Sequence, residues 1–326
     1  MEGKRYNSTA GILRREYGER LQKLVLDAGF TCPNRDGTLG TGGCTYCDNA
    51  AFHPGYSTPG KSLEKQIDEG IEFHRIRYPR VKRYLAYFQA YSNTYAPLER
   101  LKGLYEEALS HPMVTGIVIG TRPDCIDEEK LDYLAALQQT PFASGTGKEG
   151  TPLVILEYGI ESCYDKTLER INRGHDFECA RRAVQMTAQR NIRTGAHFIL
   201  GLPGETRQMM LDQCDTISDL PLDSVKFHQL QIVKGTRMEK EYSQTPGDFL
   251  RLPLEEYLDF IIDILERLRP DLGIERIVGE VPPRFVNETP WGLIRNVEIL
   301  RLLDKRLEER DTFQGRLWKA GESSRL

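Results

Sequence analysis

Between residues 23 and 231 short apolar runs alternate with longer stretches of helical period, and this alternation limits the chain to very few architectures. Runs at 23–26, 84–88, 115–119, 153–156, 195–200 and 224–231 read as strands rich in Val, Ile, Leu, Phe and Tyr. Helical patterns occupy 62–77, 98–109, 127–137, 164–171, 177–190 and 205–219. A helix between two strands carries the chain back to the same end of the sheet, so the strands are expected to be parallel. Polar residues recur in loop after loop at the strand ends. That fits a partial (β/α)6-type barrel better than a doubly wound sheet.

Around this α/β core, residues 23–240, the pattern changes twice. Residues 1–22 are polar and mixed in charge and read as an N-terminal arm that packs on something else. Residues 241–326 read as a mostly helical C-terminal appendage, with an amphipathic helix at 254–268, a short strand at 276–279 and a charged helix at 293–309.

With 326 residues, 39% of them apolar, the chain can bury a sizeable core. Its net charge of −4 gives no global basic field, so a nucleic-acid footprint would have to be a local patch. The N-terminal residues lack an apolar signal region, and no run approaches the roughly 18–20 apolar residues that span a bilayer, which leads to the expectation of a cytoplasmic protein with no membrane partner. In that compartment the seven cysteines are metal ligands and buried thiols, not a disulfide framework.

Three of those cysteines stand together. The stretch CPNRDGTLGTGGCTYC places Cys32, Cys44 and Cys47 in a glycine-rich loop directly after the first strand, at its C-terminal mouth. Two centres suit this spacing. Three thiolates can hold an iron–sulfur cluster and leave one iron open to a further ligand. Alternatively, the same thiols with His53 make a Cys3His zinc site.

The loop resembles the cluster loop of radical SAM enzymes, in the branch with a long first spacing that includes the Elongator catalytic subunit, and it is most similar to the YhcC-like group. The resemblance extends over about residues 20–240 and implies a [4Fe-4S] cluster on Cys32, Cys44 and Cys47 whose fourth iron takes S-adenosylmethionine (SAM). It further implies that Tyr46 contacts adenine and that Gln89 and Asn93 receive the SAM amino group. Arg122 and Asp124 fall in Gly120-Thr121-Arg122-Pro123-Asp124, which resembles a Glu-Thr-Arg-Pro-Asp stretch of the Elongator subunit, with Gly120 in place of the glutamate. Glu161 matches a ribose-binding position, Arg173 the residue pairing with the SAM carboxylate, and His197 a polar group near the ribose. Arg122 with Asp124, and Glu161 with Arg173, could instead pair with each other at a barrel rim.

Glu205 is expected to open the helix after Gly201-Leu202-Pro203-Gly204, where its charge suits the helix dipole. Lys226 and His228 share one face of the sixth strand and are substrate-side candidates if that face is interior. The run Gly145-Thr146-Gly147-Lys148 departs from a phosphate loop at Phe142 and Glu149 and reads as a solvated loop. Cys125, Cys163, Cys179 and Cys214 form no further CxxC pair and read as inert thiols.

The chemistry implied is reductive cleavage of SAM to a 5′-deoxyadenosyl radical that abstracts hydrogen from a substrate, with flavodoxin or ferredoxin as a one-electron donor. The Elongator likeness suggests RNA as that substrate. Residues 75–83 form a basic run that could grip phosphates, or simply end a helix with solvated cations. A zinc-stabilised (β/α) protein that binds nucleic acid without radical chemistry is the alternative, and a conventional barrel enzyme with structural cysteines is the third.

Overall fold

The computed structural model describes residues 4–51, 53–142 and 147–320. The chain opens with α1 (Thr9–Tyr17), β1 (Leu21–Leu26), α2 (Leu63–Arg77), β2 (Arg83–Phe88), α3 (Leu98–Ser110) and β3 (Val114–Thr121). It continues with α4 (Glu128–Leu137), β4 (Leu153–Glu161), α5 (Asp165–Arg170), α6 (Phe177–Ala188), β5 (Arg193–Leu200) and α7 (Arg207–Asp219). The remainder comprises β6 (Ser224–Gln229), α8 (Arg237–Gln244), α9 (Leu254–Arg267), β7 (Gly273–Arg276) and α10 (Asn296–Glu309).

Local chemistry accounts for the boundaries. Ser62 caps α2 by accepting from the Lys65 amide, and Asp127 caps α4 by accepting from the Lys130 amide, each stabilising its helix by about 1 kcal/mol. α2 stops at Arg77 because Pro79 pushes Tyr78 out of the helical region.

Seven strands, all parallel, lie in sequence order from β1 to β7. A doubly wound sheet would reverse its order partway, whereas one continuous order winds in one direction. The sheet also curls. Flat, it would hold β1 and β7 roughly 29 Å apart at about 4.8 Å per strand. Yet Lys23 on β1 makes ion pairs with Glu157 on β4 at 2.5 Å and with Glu275 on β7. The fold is therefore an α/β half-barrel with one interior.

Alternation sorts the strand side chains between two environments. Outward-facing Ala86, Phe88, Ile117, Leu156, Tyr158, Phe198 and Phe227 enter the large core beneath the helices. On the interior face, Leu85, Tyr87, Val118 and Ile155 make a small apolar floor.

The structure departs from expectation at the last strand. Six strands were expected, and β7 is a seventh, centred three residues before the predicted run at 276–279. Only Ile274 points outward into the core, because Glu275 faces the charged interior, so the apolar signal is confined to one residue. The C-terminal region also shares the main core: α9 lays Phe260, Ile261, Ile264 and Leu265 into it, and α10 adds Leu303 and Leu307. The N-terminal arm contributes too. α1 packs against β1 and β7, and the Ile274 amide donates to the Asn7 carbonyl at 2.8 Å, so the arm covers the open seam of the half-barrel.

Of the run at 145–148, Gly145 and Thr146 lie outside the described residues. Lys148 is half-buried, not solvated, and donates to the carbonyls of Leu109, His111 and Val114.

Candidate active site

A cavity of about 260 Å³ opens at the C-terminal ends of the strands, inside the curl. Cys32, Cys44 and Cys47 all border it, the first two buried and the third half-buried. Their loop is tightly pinned. The Gly43 amide donates to the Asn34 carbonyl at 2.8 Å and the Cys47 amide to the Cys44 carbonyl at 3.1 Å. Gly42 and Gly43 adopt φ of 86° and 75°, a region that costs a side-chain-bearing residue energy. The Asn172 amide group donates to the Gly43 carbonyl at 2.9 Å, and the Thr45 amide to the Ile171 carbonyl at 2.9 Å, fastening the loop to the turn after α5.

N–H groups surround the sulfurs. Arg173 Nη1 lies 3.4 Å and Asn34 Nδ2 3.8 Å from Cys44 Sγ, and Asn49 Nδ2 lies 3.6 Å from Cys47 Sγ. Burial and the neighbouring Cys44 raise the Cys47 thiol, while Arg35 opposes them. Such donors stabilise sulfur that carries negative charge, as in a metal-bound thiolate. Among the described residues no three or more His, Cys, Asp or Glu are closed up into a single-ion cage. The histidine that a zinc site would need is turned elsewhere: His53 Nδ1 faces Asp27 at 3.6 Å.

Tyr46, Gln89, Arg122, Glu161, Arg173 and His197 all line the same cavity. Arg122 forms a two-pronged pair with Asp124, at 2.8 and 2.7 Å, yet its other Nη stays buried without a partner. Arg173 is held by the Gly159 carbonyl at 2.5 Å and faces Glu161 at 3.8 Å, while its Nε is buried and unpartnered. Glu161 sits at φ 76° beside a register shift in β4, a strained backbone for a residue with a side chain. Gly159 leaves it room, because a Cβ there would lie 2.6 Å from Glu161 Oε1 and 2.8 Å from Arg173 Nη2. Gly120 has a similar reason: a Cβ would come within 3.2 Å of the Phe88 carbonyl oxygen. Burial, with Glu161 and Cys44 adding to it, holds the Tyr46 hydroxyl protonated well above its usual range.

Two expected residues are not brought to the cavity. Asn93 is wholly buried between β2 and β3, where its side-chain amide donates to the Gly120 carbonyl at 2.7 Å. Asp124 is occupied by Arg122 behind the wall. Glu205 does not start α7; the Thr206 hydroxyl caps that helix by accepting from the Met209 amide. Glu205 turns inward and accepts from Ser162, and burial raises its carboxyl to about 7.

The interior also holds a charge network that motif reading left unassigned. Glu157, 1% exposed, accepts from Lys23, Lys226 and His197, the last at 3.0 Å. Glu275 pairs with Lys23 and, at 3.0 Å, with Lys226. Burial opposes the charge on Glu157, but Lys226, Lys23 and His197 outweigh it and hold the carboxyl well below its usual range. Lys226 and His228 do face the interior and line the cavity floor. The sequence signal was present in their spacing on β6, but the carboxylates that meet Lys226 lie 69 and 49 residues away in sequence.

Residues 37–217 match the family model of the Radical SAM superfamily, and residues 222–309 match the Radical_SAM C-terminal domain. The chain is 35% identical to the uncharacterized protein YtqA of Bacillus subtilis over 97% of its length and 94% of that protein. It is 37% identical to protein YhcC of Escherichia coli over 83% of its length and 82% of that protein. In fold it is similar to the archaeal Elp3 of Methanocaldococcus infernus, with a TM-score of 0.64 at 17% identity, covering 90% of this chain and 64% of that one. Among the described residues no helix is long and apolar enough to cross a membrane.

Proposed function

The chain belongs to the radical SAM superfamily, and from that premise we propose that Cys32, Cys44 and Cys47 hold three irons of a [4Fe-4S] cluster whose remaining iron chelates SAM. When bound, the pair supplies one-electron cleavage of the sulfonium and a 5′-deoxyadenosyl radical. Arg173 is positioned to take the SAM carboxylate with its free Nε while an Nη supports Cys44. Glu161 offers its carboxylate to the ribose hydroxyls, and Tyr46 and Gln89 flank the space left for the nucleoside. The curled sheet and its floor keep water from the reacting centre. Reduction is assigned to a small one-electron donor of the flavodoxin or ferredoxin class.

The observation that carries this reading is the convergence of three thiols and a buried, incompletely bonded arginine on one cavity. Anaerobic iron–sulfide reconstitution should give broad absorbance near about 400 nm and dithionite-dependent 5′-deoxyadenosine. Cys44→Ala should lower that product at least about 1,000-fold. Colourless protein with one tightly held zinc would overturn the proposal.

RNA as the substrate rests on the Elongator likeness alone. The basic run at 75–83 ends where β2 begins, whereas the cavity opens where the strands finish. Some of its members are also engaged: Arg75 pairs with Glu72, Arg83 with Glu19, and Tyr78 carries Arg20 over its ring. Comparing nucleosides of RNA from cells with and without the protein tests this substrate, and an unchanged profile counts against it.

A further inference from the structure

The cations that line the cavity differ in how they are balanced. Arg122 has Asp124, Arg173 has Glu161, and Lys226 has Glu157 and Glu275. Arg276, the last residue of β7, is exposed into the same cavity and among the described residues has no carboxylate and no hydrogen-bond partner. Beside it lie two imidazoles, His228 and His197, with ring centroids 5.7 Å apart. Both Glu157 oxygens are already claimed by Lys23, Lys226 and His197, and among the described residues no carboxylate forms an ion pair with Arg276.

The loop after β7 is fixed over this corner. Gln229 donates to the Gly279 carbonyl at 2.9 Å and accepts from the Gly279 amide at 2.8 Å. Gly279 lies so close that a Cβ would sit 3.0 Å from His228 Nδ1. Burial and the charge of Arg276 keep His228 neutral, its pKa pushed well below the usual range, so its ring can donate or accept a hydrogen bond without adding charge. An anion arriving here would meet a planar five-donor fork and the neutral His228 ring, whose N–H can add a hydrogen bond to the charge-assisted ones from Arg276.

We propose that Arg276, with His228 and His197 beside it, forms the substrate subsite of this cavity and that the substrate enters with a carboxylate or phosphate directed at Arg276. The inference rests on the radical SAM reading of the same cavity and adds the chemical class of what is held there. SAM does not account for the corner, since Arg173 beside the cysteines is the guanidinium assigned to its carboxylate.

The test uses reconstituted, SAM-loaded holoenzyme under anaerobic conditions at constant ionic strength. Inorganic phosphate and acetate are titrated separately by calorimetry, which distinguishes the two anion chemistries. At least one should bind saturably, tenfold or more weakly in Arg276→Gln, and unchanged in Arg284→Gln, which removes a charge from the loop at 280–290. In the wild type, dicarbonyl labelling of Arg276 read by mass spectrometry should be slowed at least fivefold by the bound anion. Absence of binding, equal binding to Arg276→Gln, or labelling that ignores the anion overturns the subsite. Dithionite-driven 5′-deoxyadenosine from the same preparation separates the two readings. SAM cleavage without anion binding refutes the subsite and leaves the radical chemistry standing, whereas a full cluster that cannot cleave SAM refutes the radical reading itself.

Discussion

At the floor of the half-barrel, Glu157 and Glu275 are matched by Lys23 and Lys226, and no polar atom of these four residues is left buried without a partner. Near the mouth, an Nη of Arg122, the Nε of Arg173 and the Ser92 hydroxyl are all buried and unpartnered. Leaving such a group unsatisfied costs roughly 1–3 kcal/mol, so one open group could be tolerated strain, but several around a single cavity point to a ligand that completes them. Backbone strain has the same distribution. Glu161 and Tyr91, with φ of 76° and 62°, both line the cavity, whereas none of Lys23, Glu157, Lys226 and Glu275 has a positive φ. The floor is built to hold shape and the mouth to receive.

That contrast breaks if floor and mouth variants have the same phenotype. Glu157→Gln should give the largest effect, a loss of stability on the order of 3 kcal/mol in urea unfolding, since it strips the carboxylate from buried Lys226 and from Lys23. The same variant bears on pH. Glu157 ionises well below its usual 4.5, so its contribution is present above about pH 4.5 and is withdrawn as pH falls further; Glu157→Gln should show a flatter acid limb. Arg173→Gln should behave oppositely, weakening SAM binding by about tenfold or more, about 1.4 kcal/mol, with a smaller effect on unfolding. Calorimetry on the reconstituted protein measures it. The smallest effect is expected for Gly43→Ala, which places a side chain at φ 75° and 2.8 Å from Arg35 Nε, costing about 1 kcal/mol and lowering iron content per chain after reconstitution.

The two regions also differ in how far they could be read from sequence. The cysteine loop is local: its thiols, its glycines and its place after a strand are contiguous, and the cavity residues Tyr46, Gln89, Arg122, Glu161 and Arg173 sit in motifs at strand or helix ends. Helix boundaries with a capping side chain, at Ser62 and Asp127, were legible for the same reason. The floor network is not local. Lys23 and Glu157 are 134 residues apart, and only closure of the sheet makes them neighbours. Within the motifs, side-chain direction was the part that spacing left open. Asn93 turns into the wall to bond the Gly120 carbonyl, and Asp124 is drawn to Arg122 two residues away. β7 was expected three residues too late, at 276–279, because an interior that carries charge leaves a four-residue strand almost no apolar signature.

The interlock of the two chain ends has a consequence for how the molecule is made. Arg5 and Asn7 exchange hydrogen bonds with Gln314, while the next residues clasp β7. During synthesis Cys32, Cys44 and Cys47 emerge early, but the clasp awaits Gln314, 267 residues after Cys47. A nascent chain can thus shape its sulfur-bearing loop long before its barrel is fastened, and breaking the contacts from either residues 5–8 or Gln314 should unlatch the same edge.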